Sequence, residues 1–207
     1  MAAIYPGHGG RPRKPGMTLG DLADEAIASV EGQVCLAGVA MGGIVAQHIL
    51  VRHPDRVSSA LLACCGARTR PEAQLARAEA SEAAGMESVI QSALERWFTL
   101  AALADPGHPG VAYARAALST MDPWAMADGW RALAGHDLLE QLAGVRAPVT
   151  VVAGLDDAAV PVANVEELHR RLRGSRIRFA PGPHMIHLEE PARLRALLDE
   201  NLAWAKG

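Results

Sequence analysis

The sequence has few of the features expected of a secreted or metal-dependent protein. It contains 3 cysteines in 207 residues, and an odd count with Cys64 next to Cys65 does not form a disulfide framework. All three lie in apolar, strand-like runs, so we predict buried, reduced thiols in a cytoplasmic protein. Neither C-x-x-C nor H-E-x-x-H occurs, so we predict no metal site and no cofactor.

Strong charge and long apolar segments are also missing. The formal net charge of −3 gives no electrostatic basis for binding nucleic acid or an anionic membrane. No segment reaches the roughly 20 apolar residues that span a bilayer, and Pro and Gly in the opening MAAIYPGHGGRPRK argue against a signal peptide. With 50% hydrophobic and 21% charged residues, the chain is typical of a soluble globular protein of one domain.

Strand and helix patterns alternate at both ends of the chain. QVCLAGV (33–39) is nearly continuous in apolar residues, a pattern typical of a strand buried on both faces of a parallel sheet. Helix and strand patterns follow it, forming a strand–helix–strand unit that predicts a right-handed crossover. The predicted elements are the end of a short strand before PGHGG, a capped helix at 19–30, strands at 33–39 and 57–66, a helix at 41–52, a strand within APVTVVAG, a helix at 164–174, a strand within SRIRFA and a terminal helix after EEP.

The middle of the chain has a different pattern, with stretches rich in Ala, Leu and Glu and no convincing strand between residues 70 and 142. We therefore predict an α/β fold in which residues 1–69 and 143–207 form a core of mostly parallel sheet flanked by helices. Residues 70–142 would form a helical cap inserted between two sheet strands, and core and cap together would make one structural unit.

Three loops follow predicted strands at their carboxyl ends, where open parallel sheets bind ligands. GVAMGG carries Ala40, the next loop carries Asp156 and Asp157, and the last carries His184. The order of turn residue, acid and histidine is that of the α/β-hydrolase catalytic triad, in which a G-x-S-x-G turn holds the nucleophilic serine.

On these motifs the chain resembles the α/β-hydrolase family over nearly its whole length, as a partial form of that fold. PVTVVAGLDDAAVP is similar to the family's acid strand, and this alignment selects Asp157 rather than Asp156. GPHMIHLEEPARL is similar to its histidine loop, in which His184 is the catalytic residue. ALERWFT and DPWAMADGW resemble the 3-oxoadipate enol-lactonases, which implies a small-molecule ester or lactone as substrate. For an anionic lactone we expect Trp124 or Arg131 to face the substrate.

The physical chemistry of the turn supports the same roles. Gly38 and Gly42 would let strand and helix pass closely, and the N–H of Met41 would donate to a developing oxyanion. His184 would act as general base, and Asp157 would fix its tautomer. Ala40 departs from the pattern, because a methyl group cannot attack a carbonyl. Loss of a triad nucleophile costs about a millionfold in turnover.

A second departure concerns the start of the sheet. The family has further strands before AIYPGHGG, and without the one beside QVCLAGV this strand would be an exposed edge or pair with the N-terminal segment or another chain. We therefore predict a homodimer, or poor solubility, with no nucleic-acid or membrane partner.

Three hypotheses for function remain open at this stage. The chain is an ester or lactone hydrolase of the enol-lactonase type that Ala40 leaves inactive or strongly impaired. Alternatively, it is a catalytically dead pseudoenzyme or small-molecule-binding protein. In the third hypothesis, His184 and Asp157 act as a dyad without a nucleophile.

Overall fold

A computed structural model describes residues 1–206. Its sheet has four parallel strands in the order β1 (Val34–Val39), β2 (Val57–Ala63), β3 (Val149–Gly154) and β4 (Arg176–Ala180). Because the strands are all parallel, their carboxyl ends lie at one edge of the sheet, where the loops carrying Ala40, Asp157 and His184 begin. The α/β class and the parallel sheet predicted from the sequence are confirmed.

Helices cover both faces of this sheet. The helices of the core are α1 (Leu19–Ala28), α2 (Met41–Arg52), α7 (Val162–Arg171), the short α8 (Ile186–Glu189) and α9 (Pro191–Trp204). On one face, side chains of α1, α2 and α7 pack with alternate residues of β2 and β3. On the other face, Leu61 and Val152 of the strands pack against Ile186 and Leu197. The core therefore has three layers.

Local sequence explains where the first helices begin. The Thr18 hydroxyl accepts a hydrogen bond from the Asp21 N–H, and the Asp21 carboxylate accepts from the Thr18 N–H. This reciprocal cap starts α1, as the sequence predicts. Helix α2 starts immediately after Ala40 and ends at Arg52, as expected, because Pro54 has no N–H to continue the helical hydrogen bonds and disfavours a helical conformation at His53.

Four helices lie between β2 and β3: α3 (Pro71–Trp97), α4 (Leu100–Ala104), α5 (Pro109–Ser119) and α6 (Pro123–Ala134). Gly85, with φ 71° and ψ 179°, divides α3 into two helical halves. The buried side chains of this helical segment form a cluster of their own, against which Met185 and Leu188 of the histidine loop also pack. The boundaries predicted for core and cap stay a prediction.

Two expectations about the start of the sheet are wrong. Residues 1–33 contain no strand, so the predicted strand end before PGHGG is absent, although a turn does occur there. Strand β1 is not buried on both faces: Cys35 and Ala37 are exposed, because β1 lies at the edge of the described sheet with only β2 beside it. Cys35 is thus an exposed free thiol, whereas Cys64 and Cys65 are buried as expected.

None of the helices within residues 1–206 combines the length and the apolar character that crossing a membrane requires.

Candidate active site

The turn between β1 and α2 holds Ala40 in a strained backbone conformation. Its φ of 52° and ψ of −122° lie in a region that non-glycine residues rarely adopt, at a cost of about 1–3 kcal/mol. The Ala40 N–H donates to the Ala63 carbonyl at 2.9 Å, and its own carbonyl accepts from the Ile44 N–H at 3.1 Å. Both hydrogen bonds tie the strained residue to regular structure on either side.

Glycines allow the strand and the helix to approach each other at this turn. A Cβ on Gly38 would lie 2.3 Å from the Gly42 carbonyl oxygen, and one on Gly43 would lie 2.7 Å from the Cys65 sulfur. A Cβ on Gly42 would meet only the Tyr5 hydroxyl, at 4.0 Å. The close approach predicted for Gly38 is therefore observed, against the Gly42 backbone; the second glycine at which a Cβ would clash is Gly43 rather than Gly42.

Met41 is the first residue of α2, so its N–H lies in the turn of the helix that has no intrahelical acceptor. The partial positive charge at a helix N-terminus favours an anion at this point. The oxyanion role of Met41 stays a prediction.

Asp157 and His184 meet across the loops after β3 and β4. Asp157 Oδ2 lies 3.0 Å from His184 Nδ1, and the two side chains are 1% and 8% exposed. Asp157 Oδ1 accepts hydrogen bonds from the N–H groups of Ala159 and Val160, both at 2.8 Å. These two donors fix the carboxylate while its other oxygen holds the imidazole. Nε2 is thus the ring nitrogen left for proton transfer.

The neighbouring Asp156 has a different role. Its Oδ2 accepts from the Gly182 N–H at 3.0 Å, and its own N–H donates to the Gly182 carbonyl at 3.0 Å. Asp156 therefore joins the loop after β3 to the loop that carries His184. Of the two adjacent acids, Asp157 is the one in contact with His184, as the sequence motif selects.

A match to a family model decides the family. The model described as "Alpha/beta hydrolase family" matches residues 3–197 of this chain. The chain belongs to the alpha/beta hydrolase family. The resemblance identified from the sequence motifs is thereby confirmed.

Curated relatives of this alpha/beta hydrolase carry two kinds of name. A pimeloyl-[acyl-carrier protein] methyl ester esterase of Aromatoleum aromaticum is 32% identical, over 94% of this chain and 84% of the relative. A 3-oxoadipate enol-lactonase 2 of Acinetobacter baylyi is 28% identical, over 77% of this chain and 60% of the relative. Both names refer to enzymes that act on a carboxylic ester or lactone.

Solved structures of alpha/beta hydrolases superpose closely on the chain. The enol-lactonase of Burkholderia xenovorans has a TM-score of 0.88 at 25% identity, covering 95% of this chain and 78% of that one. A hydrolase of Pseudomonas aeruginosa also has a TM-score of 0.88, at 28% identity, covering 95% of this chain and 76% of that one. The partial alpha/beta hydrolase fold predicted from the sequence is confirmed.

Within residues 1–206, the polar and cation–π contacts of Trp124 and Arg131 are with residues other than Asp157 and His184. Both guanidinium nitrogens of Arg131 bind the Glu82 carboxylate, at 2.5 and 2.7 Å. Arg131 also lines a cavity of about 500 Å³ between the start of α1, α2 and the end of α6. Trp124 is 49% exposed, and the Arg13 guanidinium lies 5.8 Å from the centre of its ring.

Cys64 is a residue of this alpha/beta hydrolase site that sequence reasoning missed. It follows β2 directly, is fully buried and has a φ of 53°. Burial, and after it the charge of Asp157, raises the pKa of its thiol above the ordinary range. The buried thiol therefore favours its protonated form next to Asp157. No signal in the CCG stretch distinguishes this position from an ordinary buried strand end.

The histidine loop is also joined to the helical segment. The Met185 N–H donates to the Trp97 carbonyl at 2.9 Å, and the Glu189 carboxylate accepts from the Thr99 N–H at 3.1 Å. The residues before His184 are therefore held by the core, through Gly182 and Asp156, and the residues after it are held by the helical segment. Within residues 1–206, no three His, Cys, Asp or Glu side chains are arranged to hold a metal ion.

Proposed function

We propose that the chain is a carboxylic ester or lactone hydrolase with the architecture of a 3-oxoadipate enol-lactonase, in which Ala40 leaves the site inactive or strongly impaired. The observation that carries this proposal is the contact between Asp157 and His184 at the sheet edge that also holds an alanine with a φ of 52°. Strained backbone at the tip of a strand–helix turn is the geometry that presents a serine to an ester. The names of the relatives supply the class of bond.

The roles follow from the geometry. With a hydroxyl at residue 40, His184 Nε2 would take its proton during attack on the ester carbonyl, and Asp157 would stabilise the imidazolium. The Met41 N–H would donate to the oxyanion. His184 would then return the proton to the leaving alcohol, which leaves the acyl group on the residue 40 oxygen. A water molecule deprotonated by His184 would attack this ester, and the proton would return to the residue 40 oxygen as the carboxylic acid leaves. In this proposal the chain keeps Asp157, His184 and the N-terminus of α2 and lacks the attacking atom at residue 40.

The test is to install that atom. We expect Ala40→Ser to hydrolyse small esters and lactones far faster than the parent chain, by up to about a millionfold. The measurement is steady-state turnover with a pre-steady-state burst of alcohol release. The double variant Ala40→Ser/His184→Ala is the control, and it should return to the parent rate. No burst and no turnover in Ala40→Ser would contradict the proposal.

Two other functions give different results in the same experiment. A pseudoenzyme or binding protein would bind an ester without hydrolysing it, with either alanine or serine at residue 40. A His184–Asp157 dyad enzyme would be active in the parent chain, would lose activity in His184→Ala and would be indifferent to residue 40. Since Arg131 already has Glu82 as its partner, we do not include Arg131 in the substrate-binding part of this proposal.

We also propose a homodimer through the β1 edge. Strand β1 is an edge of the described sheet, its Cys35 and Ala37 are exposed, and an open apolar edge favours pairing with another strand. Light scattering at high protein concentration should give a dimer mass, and Ala37→Lys should lower it. A monodisperse monomer at the same concentration would contradict the dimer. The cytoplasmic location stays a prediction.

A further inference from the structure

The short helix α8, which follows His184, lies at the junction of the core and the helical segment. Its Ile186 packs with strand residues of the sheet. Met185, which precedes the helix, and Leu188 within it pack instead in the apolar cluster of the helical segment. A displacement of the helical segment would therefore reach the residues directly after His184.

Two points of α8 are hydrogen-bonded to residues 97–99, which join α3 to α4. At the start of α8, the Met185 N–H donates to the Trp97 carbonyl at 2.9 Å. At its end, the Glu189 carboxylate accepts from the Thr99 N–H at 3.1 Å and from the Thr99 hydroxyl at 2.5 Å. Because the acceptor carries a charge, the hydrogen bonds to Glu189 are stronger than those between neutral groups.

The two points have a similar spacing on both partners. From Met185 to Glu189 the chain rises about 6 Å, the length of four helical residues. From Trp97 to Thr99 it spans about 7 Å, the length of two extended residues, and Phe98 between them is extended, with a φ of −125° and a ψ of 157°. Attachment at two matched points fixes the direction of α8 as well as its position.

Helix α5 contacts α8 at a third point. A Cβ on Gly110 would lie 2.6 Å from the Leu188 carbonyl oxygen, which is closer than real Cβ atoms come to another atom. The two backbones therefore touch without room for a side chain at residue 110. Gly129 of α6 differs, because a Cβ there would meet no atom of residues 1–206 within 4 Å outside its own helix.

We propose that Glu189 is a positioning residue for His184, through which the helical segment holds the imidazole in the orientation that proton transfer requires. This inference rests on the proposed ester-hydrolase function and adds a residue that acts through His184 rather than on the substrate. Asp157 orients the ring from the core, and Glu189 fixes the backbone that carries the ring. A displacement of about 1 Å in a catalytic group costs about a hundredfold in rate.

The kinetic test measures kcat and KM separately in the Ala40→Ser background, with the burst amplitude as the count of folded sites. Glu189→Ala should lower kcat per folded site about 10- to 100-fold and leave KM within about twofold. Glu189→Gln keeps one acceptor oxygen and should lose less. Glu190→Gln is the matched control, because Glu190 is paired with Arg193 at 3.7 Å, and it should keep the kcat of Ala40→Ser. A lower burst amplitude with unchanged kcat per folded site in Glu189→Ala would show a purely structural role and overturn the proposal.

A second pair of variants displaces α8 and leaves the Glu189 carboxylate in place. Gly110→Ala would bring its Cβ against the Leu188 carbonyl, and it should lower kcat per folded site in the same way as Glu189→Ala. Gly129→Ala is the matched control, since its Cβ would have room, and it should leave kcat unchanged. Equal kcat values for the two alanine variants would contradict the role of α8.

Proton NMR of the chain with Ala40 separates this proposal from the hydrolase proposal. The proton between Asp157 and His184 Nδ1 should give a resonance far downfield of the amide protons. We expect this resonance to broaden or shift in Glu189→Ala and to stay in place in Glu190→Gln. If Ala40→Ser hydrolyses no ester, the hydrolase proposal fails and the resonance still decides the role of Glu189. An unchanged resonance in Glu189→Ala would overturn that role.

Discussion

The two halves of the candidate site differ in which features of a catalytic triad they contain. In the half formed by Asp157 and His184, every polar contact of the acid is made: two backbone N–H groups bind one oxygen, and the imidazole binds the other. In the half formed by the β1–α2 turn, the backbone is strained as for a nucleophile, but Ala40 has no reactive atom. The backbone of the turn is therefore strained even without a serine side chain at residue 40.

Packing explains why the turn keeps its conformation without a serine. The contacts that impose it come from Gly38, Gly43 and the hydrogen bond from Ala40 to Ala63, and none of them involves the side chain at residue 40. Under the proposed function, we expect a hydroxyl group at residue 40 to complete a triad with Asp157 and His184. Variants in each half test whether the two halves work together or separately.

The largest expected effect is that of removing His184 after a serine has been placed at residue 40. In an Ala40→Ser background, His184→Ala should lower kcat by about a millionfold, because nucleophile and base act as one unit. Initial rates on an ester that Ala40→Ser hydrolyses measure the effect. A loss below about a hundredfold would mean that a group other than His184 deprotonates the serine. The Asp157–His184 half would then not act on the turn.

The next effect separates the two adjacent acids. In the same background, Asp157→Asn should lower kcat by about ten-thousandfold, since an amide favours the wrong tautomer of His184. Asp156→Asn is the matched control, because its carboxylate binds the Gly182 N–H and not the imidazole. We expect Asp156→Asn to lower thermal stability and to reduce turnover much less than Asp157→Asn does. Equal losses of turnover for the two variants would contradict the assignment.

The sequence was sufficient for those parts of the site that depend on local pattern. GVAMGG lies between a strand run and a helix run, so the turn at Ala40 and the start of α2 follow from neighbours in the chain. The motif around Asp157 likewise selects the acid that contacts His184. These features depend on a few residues on either side, where backbone sterics decide the conformation.

Features that depend on distant parts of the chain could not be predicted in this way. Arg131 was expected to face a substrate, but it binds Glu82, which is 49 positions away on α3. The apolar run of β1 predicted burial on both faces, but the position of a strand in the sheet decides its exposure, and β1 lies at an edge. Helix-to-helix contacts and strand order are tertiary properties that periodicity alone does not encode.

A smaller effect measures the strain in the turn directly. Ala40→Gly should raise the free energy of unfolding by about 1 kcal/mol, because glycine adopts a positive φ without steric cost and this outweighs its entropy loss. Ala76→Gly, at an exposed position inside α3, is the matched control and should lower the same free energy by about 1 kcal/mol. Urea denaturation of both variants gives the two values, and the same sign for both would show that the turn is unstrained.

The smallest effect concerns the helix that supports the turn. His48 of α2 has a half-buried ring whose Nε2 has no hydrogen-bond partner within residues 1–206. Its ring centre lies 5.5 Å from that of His136. Burial, then the charges of His136 and Arg52, lower the pKa of His48 to about 4, while Asp24 acts in the opposite direction. The folded state therefore disfavours protonation of His48, which lies on α2, the helix that follows the turn.

The sign of the pH dependence follows from this lowered pKa. Above pH of about 6.5, His48 is neutral in both the folded and the unfolded chain and contributes nothing to the pH dependence. As the pH falls from about 6.5 to about 4, the unfolded chain binds the proton first, so the free energy of unfolding decreases. Urea denaturation across this range should show a shallower decrease in His48→Asn than in the parent chain. His8→Asn, in the surface turn near the N-terminus, is the control and should keep the parent slope. An unchanged slope in His48→Asn would show that protonation of His48 does not contribute to the loss of stability in acid.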